Sequence, residues 1–516
     1  MRIVDFLDKG ASLNREAPCL TTDGESMSYA DVVALSNTIA TALAAHGVSP
    51  GDKVGILSAN DPTSFTCVFG ISRAGAVWCP INPRNEATEN QQLLDQFDCS
   101  VLIYQASFAP LVAKIRPALT KVHTWVCLDG SDHDALSWPE FLSAASEPAA
   151  SESTPDARTG DDLAMIAGTG GTTGTPKGVM LTGTNLETMS AITLMSYPFA
   201  GRPVYLALAP LTHAAGVLCF PILCLGGEVV IMRKPDVGDF LTHLERHRVT
   251  HTFLPPTLLY MVLANPALET TDRSALQCFW YGAAPMSPAR LEEALSRIGP
   301  VMAQLFGQTE APMMVSTMAP ADHFSDDGSV ATQRLSSAGR PSPLVTLTIM
   351  DAKGNQLPRG ERGEIVIRSS LVTPGYYLNP AATAEASEFG WHHTGDIGYL
   401  DDDGYLFIVD RAKDMIITGG FNVYSVEVEQ ALLAHPDVQD CAVIGRPDDK
   451  WGERVEAVVQ PRAGHTVDSD ALTAFVKERI GSVKTPKVVH VWSDLPRSKV
   501  GKVVKPEVKA QLAQSD

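Results

Sequence analysis

The sequence predicts an α/β protein: a large N-terminal domain of two covered sheets plus a small antiparallel β unit, followed by a small α+β C-terminal domain. Three observations carry that prediction. β-rich runs alternate with helical periodicity between residues 29 and 280, short strands and tight turns take over after Gly339, and the last part of the chain mixes helix and strand patterns anew. Length agrees, because single cores stop growing near roughly 250 to 300 residues. A chain of 516 residues must divide.

Residues 29–46 place Val32, Leu35, Ile39 and Leu43 at three- and four-residue steps, an amphipathic helix that Gly47 ends. A strand at 53–57, a polar turn at Asn60-Asp61-Pro62, a helical stretch and a strand at 77–80 follow, and the strand pattern returns at 204–209, 228–232, 250–254 and 277–280. Such alternation predicts a parallel, covered sheet. Residues 143–158, rich in Ala, Ser, Pro and Glu, predict a surface linker into the next half of the large domain. Beyond Gly339, strands at 345–350, 363–368 and 405–409 are separated by the turns Asp351-Ala352-Lys353-Gly354-Asn355 and Asp401-Asp402-Asp403-Gly404. The final block reads as a helix at 426–435, strands at 438–444 and 454–460, a helix at 469–479 and a strand at 488–492. The domains are placed at residues 1–410 and 411–516.

Composition sets limits on function. With 45% hydrophobic and 19% charged residues, disordered, collagen-like and coiled-coil classes are set aside. A net charge of −19 predicts no nucleic-acid partner, and a polyanionic ligand would need local positive charge. Nine cysteines stand singly with no C-x-x-C pair, so buried reduced thiols and a reducing compartment are expected. Asp5 and Asp8 interrupt the N-terminal apolar run, which is therefore no signal peptide. The longest stretch without a charge, residues 203–227, is broken by Pro210, Thr212 and His213, and no transmembrane segment is expected. A cytoplasmic protein, monomer or homodimer, is the expectation.

Ala167-Gly-Thr-Gly-Gly-Thr-Thr-Gly-Thr-Pro-Lys177-Gly178 packs five glycines, four threonines and one lysine into twelve residues. Glycines let backbone N–H groups converge on an anion, threonines add hydroxyls and Lys177 adds a point charge, a combination that fits a polyphosphate. It is not a Walker A loop, since Pro176 precedes Lys177 and Gly178 follows it.

Gly168 to Gly178 resembles the phosphate loop of the adenylate-forming superfamily, which holds acyl- and aryl-CoA ligases, adenylation domains of peptide synthetases and firefly luciferase. Further motifs stand in that family's order: Tyr281-Gly282-Ala283-Ala284-Pro285, Phe306-Gly307-Gln308-Thr309-Glu310, Gly390-Trp391-His392-His393-Thr394-Gly395-Asp396, Asp410-Arg411-Ala412-Lys413-Asp414, Gly419-Gly420-Phe421-Asn422-Val423 and Pro496-Arg497-Ser498-Lys499-Val500-Gly501-Lys502. Any one is moderate evidence; six in order after the loop are strong.

The resemblance implies an enzyme that uses ATP, Mg²⁺ and coenzyme A to activate a carboxylic acid as its acyl-adenylate. Lys502 would be the catalytic lysine, bridging carboxylate and α-phosphate; Lys499 and Lys505 are its local rivals, and Gly501 decides for Lys502 by the family's pattern. Thr169, Gly170, Gly171, Thr172, Thr173, Gly174 and Lys177 would cradle the phosphates, with Glu310 and Thr172 on Mg²⁺. Gly282, Ala283 and Ala284 would line the adenine and Phe306 would stack on it, keeping the ring face of the family's usual tyrosine. Gly307 and Thr309 belong to the same ATP-binding set, and Asp396, assisted by Arg411, would accept both ribose hydroxyls.

For the second half-reaction the resemblance implies that residues 411–516 rotate about Lys413 as hinge, removing Lys502 and presenting another face. Gly419 and Gly420 would form a narrow pantetheine tunnel, Trp451 would meet the CoA nucleotide, and Lys484 and Lys487 would meet CoA phosphates. The acyl pocket falls on His213, Ala214, Gly216, Val217, Pro255, Met313 and Met314, with His213 as gate. Ala214 and Ala215 stand where peptide-forming domains place an aspartate for the substrate ammonium, which argues against an amino acid. An apolar or aromatic carboxylic acid fits best. Rival readings are an amide-forming or carrier-loading adenylating enzyme, a luciferase-like monooxygenase and a non-catalytic nucleotide binder; intact Lys177, Glu310, Asp396, Arg411 and Lys502 argue against the last.

Overall fold

The computed structural model describes residues 1–145, 159–169, 177–212, 214–412, 414–448, 450–497 and 503–514. Two large sheets form the N-terminal part. The first has seven strands in the order Leu136–Ser137, Thr124–Cys127, Cys99–Tyr104, Lys53–Leu57, Val77–Ile81, Leu163–Thr169, Lys177–Thr182, parallel except for the last pair. The second has nine, with a parallel centre from Pro18–Thr22 to Met302–Gln308 and antiparallel edges at Glu25–Ser28, Ala311–Met318 and Arg340–Pro341. Central strands such as Val77–Ile81 and Cys278–Gly282 are buried at every position, as a sheet covered on both faces demands.

Helices start where the sequence supplies caps. Ser28 Oγ accepts from Asp31 N ahead of Tyr29–Ala45, and the Asp61 carboxylate accepts from Thr63 N and Ser64 N ahead of Pro62–Arg73. A four-stranded antiparallel sheet, Thr346–Met350, Gly363–Arg368, His392–Leu400 and Leu406–Arg411, follows. The last sheet holds Phe421–Val423, Ile416–Thr418, Gly452–Pro461 and Val438–Asp448, with Val488–Val491 paired to Gly452–Pro461. Ser425–Leu433 and Ser469–Lys484 pack on it through Val428, Leu432, Leu472 and Val476.

Several elements differ from the sequence reading, among them the strand His392–Leu400, which it did not include, and the helix Ser469–Lys484, which runs five residues past its expected end; three others have a clear physical reason. Ile3–Leu13 is a helix buried through Ile3, Val4, Phe6 and Leu7, with Phe6 stacked 5.4 Å from Phe220; its pattern is short, and only the partner across the core explains it. Val438–Asp448 runs four residues beyond the expected end, because Arg446 and Asp448 stay in register with Arg454 and Gly452 of the antiparallel neighbour. Strands at Met302–Gln308 and Ala311–Met318 close the second sheet with an antiparallel pair that alternation of strand and helix did not announce. Most of the predicted linker, residues 146–158, lies outside the described residues. All nine cysteines are free and eight are buried, Cys224 being half-buried. Among the described residues no helix is long and apolar enough to cross a membrane.

Candidate active site at the meeting of three sheets

The strand Lys177–Thr182 at the edge of the seven-stranded sheet is joined to the four-stranded sheet by the segment 369–379. Tyr377 N donates to Gly178 O at 2.8 Å and Met180 N to Gly375 O at 3.1 Å. On its other side this segment reaches the nine-stranded sheet, where Thr373 N donates to Glu310 O at 2.7 Å. Pro374-Gly375 makes the bend possible, since Gly375 has φ 142°, which few other residues adopt. The turn delivers Tyr376 between two charges. Its hydroxyl donates to Glu310 Oε1 at 2.8 Å, and its ring lies 4.9 Å from Lys177 Nζ. Burial and the neighbouring Glu310 carboxylate push the phenol well above its ordinary range, so it stays a donor.

A second polar pair stands on the four-stranded sheet. Asp396 and Arg411 face each other in register, and Arg411 Nε reaches Asp396 Oδ1 at 2.6 Å, with the aspartate side chain 5% exposed and the arginine 48%. Gln308 Nε2 donates to Thr394 O at 3.3 Å, linking the strand of Phe306 to that of Asp396. Phe306 is half-buried between the main core and the four-stranded sheet.

Backbone proximity explains the glycines here. A Cβ on Gly282 would lie 2.2 Å from Leu305 O, and one on Gly307 would lie 2.5 Å from Met313 N. Two non-glycine residues beside them, Ala283 at φ 65° and Met313 at φ 62°, occupy the left-handed region. Such strain persists only where neighbours fix it, and it gathers at functional sites. Ala283 is exposed, and Ala284 and Thr309 are half-buried. Thr169 Oγ1 donates to Lys177 O at 3.3 Å, closing the strand pair on which the glycine-rich loop is mounted.

The acyl-pocket residues divide. Gly216 has no room for a side chain, its Cβ position being 1.9 Å from Leu211 O, and Val217 is buried. Pro255 and Met313 are half-buried, whereas Met314 is fully enclosed in the main core, so of the two methionines Met313 keeps free surface.

On the last sheet, Gly419 at φ 56° donates its N–H to Trp451 O at 2.8 Å, and a Cβ there would touch the Trp451 ring at 2.9 Å. A Cβ on Gly420 meets nothing within 4 Å, so crowding does not explain that glycine in this arrangement. Its φ of 81° does. Trp451 is 43% exposed beneath Lys450 Nζ at 4.8 Å. Lys484 pairs with Glu427, and Lys487 Nζ donates to Ser482 O at 3.0 Å, so both cations have protein partners. Gly170, Gly171, Thr172, Thr173, Gly174, His213, Lys413 and Lys502 lie outside the described residues, as does the side chain of Ala214.

Sequence reasoning missed Tyr376 and His323. The first sits in a Pro-Gly turn legible as a bend, but nothing local says that it spans Lys177 and Glu310. His323 Nδ1 donates to Ala319 O at 3.0 Å, and its Nε2 accepts from Tyr281 OH at 2.9 Å, anchoring the strand that ends at Gly282. Burial pushes this ring down to about 4, which keeps Nε2 a neutral acceptor. The arrangement offers a cation at Lys177, a hard carboxylate oxygen at Glu310 and a buried Asp396 paired with a partly exposed Arg411, a donor set that fits a magnesium-bound nucleotide.

The "AMP-binding enzyme" family profile matches residues 7–377, and that of the "AMP-binding enzyme C-terminal domain" matches residues 427–502. The chain is 36% identical to the medium/long-chain-fatty-acid–CoA ligase FadD8 of Mycobacterium tuberculosis over 91% of this chain and 83% of that one. It is also 36% identical to feruloyl-CoA synthase of Amycolatopsis sp, over 97% of each chain. The structure of the amide bond synthetase McbA from Marinactinospora thermotolerans superposes with a TM-score of 0.88 at 30% identity, covering 99% of both chains.

Proposed function

Since the chain belongs to the AMP-binding, adenylate-forming family, we propose that it is an ATP-dependent acyl-CoA ligase acting on an apolar or aromatic carboxylic acid. Residues 1–410 hold ATP and the acid, and residues 411–516 form a mobile domain that carries Lys502. The convergence of Lys177 and Glu310 on Tyr376, with the Asp396–Arg411 pair alongside, supports this reading most directly.

A carboxylate is a poor electrophile because its oxygen does not leave. In the first step that oxygen attacks the α-phosphorus of ATP and the bond to pyrophosphate breaks, giving an acyl-adenylate. Two anions must meet, so the protein has to supply positive charge where they do. Lys177 stands at the end of the phosphate loop, Arg411 beside Asp396 at the ribose, and Lys502 is assigned to the carboxylate and α-phosphate. Glu310, with Thr172, would hold Mg²⁺, which neutralises phosphate charge when bound. Tyr376 keeps the Glu310 carboxylate oriented. In the second step the thiol sulfur of coenzyme A attacks the acyl carbon, AMP leaves with the former carboxylate oxygen, and the thioester remains. Gly419, Gly420 and Trp451 are assigned to the thiol's approach, Lys484 and Lys487 to the CoA phosphates after exchanging Glu427 and Ser482. Lys413 serves as hinge and His213 as the gate of a pocket walled by Ala214, Gly216, Val217, Pro255, Met313 and Met314.

The named activities of the two relatives, ligation of medium and long-chain fatty acids to CoA and synthesis of feruloyl-CoA, support an apolar or aromatic acid. The likeness to an amide bond synthetase keeps an amine, or a carrier protein, as the second reading for the acceptor. The enzyme works in the cytoplasm as a monomer or homodimer. Pyrophosphate release across a panel of carboxylic acids, with and without CoA, tests the reading. Release with an apolar or aromatic acid and thioester formation on adding CoA are expected; no release with any acid would refute it, and release without thioester would move the acceptor to an amine or carrier.

A further inference from the structure

A buried charge cluster lies where the four-stranded sheet hands over to the last sheet. Asp410, 2% exposed near the end of Leu406–Arg411, accepts from Ser425 Oγ at 2.9 Å through Oδ1 and from Ser425 N through Oδ2. Ser425 opens the helix Ser425–Leu433, so the Asp410 carboxylate sits at a helix N-terminus, where backbone N–H groups favour an anion. Lys505 Nζ donates to that same Ser425 Oγ and stands 2.8 Å from Glu429 Oε1, an oxygen that also accepts from Val443 N at 2.9 Å. One ammonium thus pairs with the half-buried Glu429 and, through Ser425 Oγ, is linked to the buried Asp410. Burial pushes both carboxyls above their ordinary values, and the two carboxylates in turn hold the Lys505 ammonium charged.

Asp410 precedes Lys413, and Ser425, Glu429 and Lys505 follow it, so the cluster bridges the segment assigned as hinge. Lys505 also opens the helix Lys505–Gln514, whose Val508 and Leu512 are buried in a core with Ala442, Ile444 and Val458. Three peptide units separate it from Lys502 and span at most about 11 Å.

We propose that Lys505 is a positioning residue for adenylate formation: by donating to Ser425 and pairing with Glu429 it fixes the start of the last helix against Asp410 and thereby sets where Lys502 stands. This rests on the assignment of Lys502 as catalytic lysine. Lys505 is one of the local rivals for the catalytic role in the sequence, and its pairing with Glu429 and Ser425 inside the fold argues against that role in this arrangement.

Four proteins test it: wild type, Lys505→Met, Lys505→Arg and the double variant Lys505→Met/Glu429→Gln, which removes one charge of each sign and leaves Asp410 with its two hydrogen bonds from Ser425. Acid-dependent pyrophosphate release in a single turnover and thioester formation from a preformed acyl-adenylate are measured on each. Lys505→Met and the double variant should release pyrophosphate at least about tenfold more slowly, as misplacement of a reacting group does, with thioester formation held within about twofold. Lys505→Arg, which keeps donors for both partners, should recover the first step. Equal loss in both half-reactions, or no loss in the double variant, would overturn the proposal; should Lys505→Met fail to fold, the double variant alone decides. A wild type that releases no pyrophosphate with any acid would overturn the ligase reading itself, and this proposal with it.

Discussion

At Tyr376 one hydroxyl and one ring face serve partners of opposite charge, Glu310 at 2.8 Å and Lys177 at 4.9 Å. Tyr376→Phe keeps the ring against Lys177 and removes the donor to the carboxylate, so it separates the two contacts. A hydrogen bond to a charged group contributes about 1.5 to 3 kcal/mol, and adenylate formation is expected to fall by about tenfold or more, with a higher magnesium requirement. A magnesium titration of pyrophosphate release reads this; an unchanged curve would leave Tyr376 without a role. For Lys502→Ala the expectation is a loss of about 100-fold or more in adenylate formation, as for removal of one transition-state donor, with thioester formation from preformed adenylate largely retained. Equal loss in both steps would refute that assignment. Lys177, Glu310, Asp396 and Arg411 could be singled out from the sequence as candidates, because their motifs stand in order. Tyr376 and His323 could not, because each acts through a contact with a residue more than 40 positions away.

At the scale of elements, the strands at Lys53–Leu57 and Gly363–Arg368 match the sequence reading end to end, since turn residues bound them on both sides. Edges were less legible: the antiparallel pair Met302–Gln308 and Ala311–Met318 depends on a crossing so close that Gly307 has no room for a Cβ against Met313 N at 2.5 Å. The glycine pair at 419 and 420 shows the same limit. The family resemblance singles out both, but only coordinates separate Gly419, which abuts the Trp451 ring at 2.9 Å, from Gly420, which has open space around its Cβ position. Gly419→Ala should therefore displace Trp451 and slow thioester formation from preformed adenylate by about tenfold, while pyrophosphate release continues. Trp451 fluorescence and the two half-reaction rates check it; a slowed first step with a normal second would contradict the assignment.

Across the whole molecule, burial pushes the rings of His251, His323 and His392 down to about 4 from 6.5. Folded chains leave these rings neutral while unfolded chains take up protons, so their contribution to stability is complete above about pH 6.5 and is lost as pH falls toward 4. Each ring should add about 1.4 kcal/mol per pH unit to the slope. Denaturant midpoints at pH 7 and pH 5 measure this, and His392→Phe should flatten the slope by about one proton's share; stability that rises on acidification would contradict it. The broad architecture was legible because two sheet textures and a third mixed block follow one another along the chain, whereas the meeting of three sheets around residues 369–379 is a property of the fold alone. Adenylate formation requires that the carboxylate oxygen of the acid attack the α-phosphorus of ATP. With an accepted acid labelled by oxygen-18 in its carboxylate, AMP formed in the presence of CoA should carry one labelled oxygen and pyrophosphate none. Label in pyrophosphate or inorganic phosphate, or ADP as the nucleotide product, would contradict it.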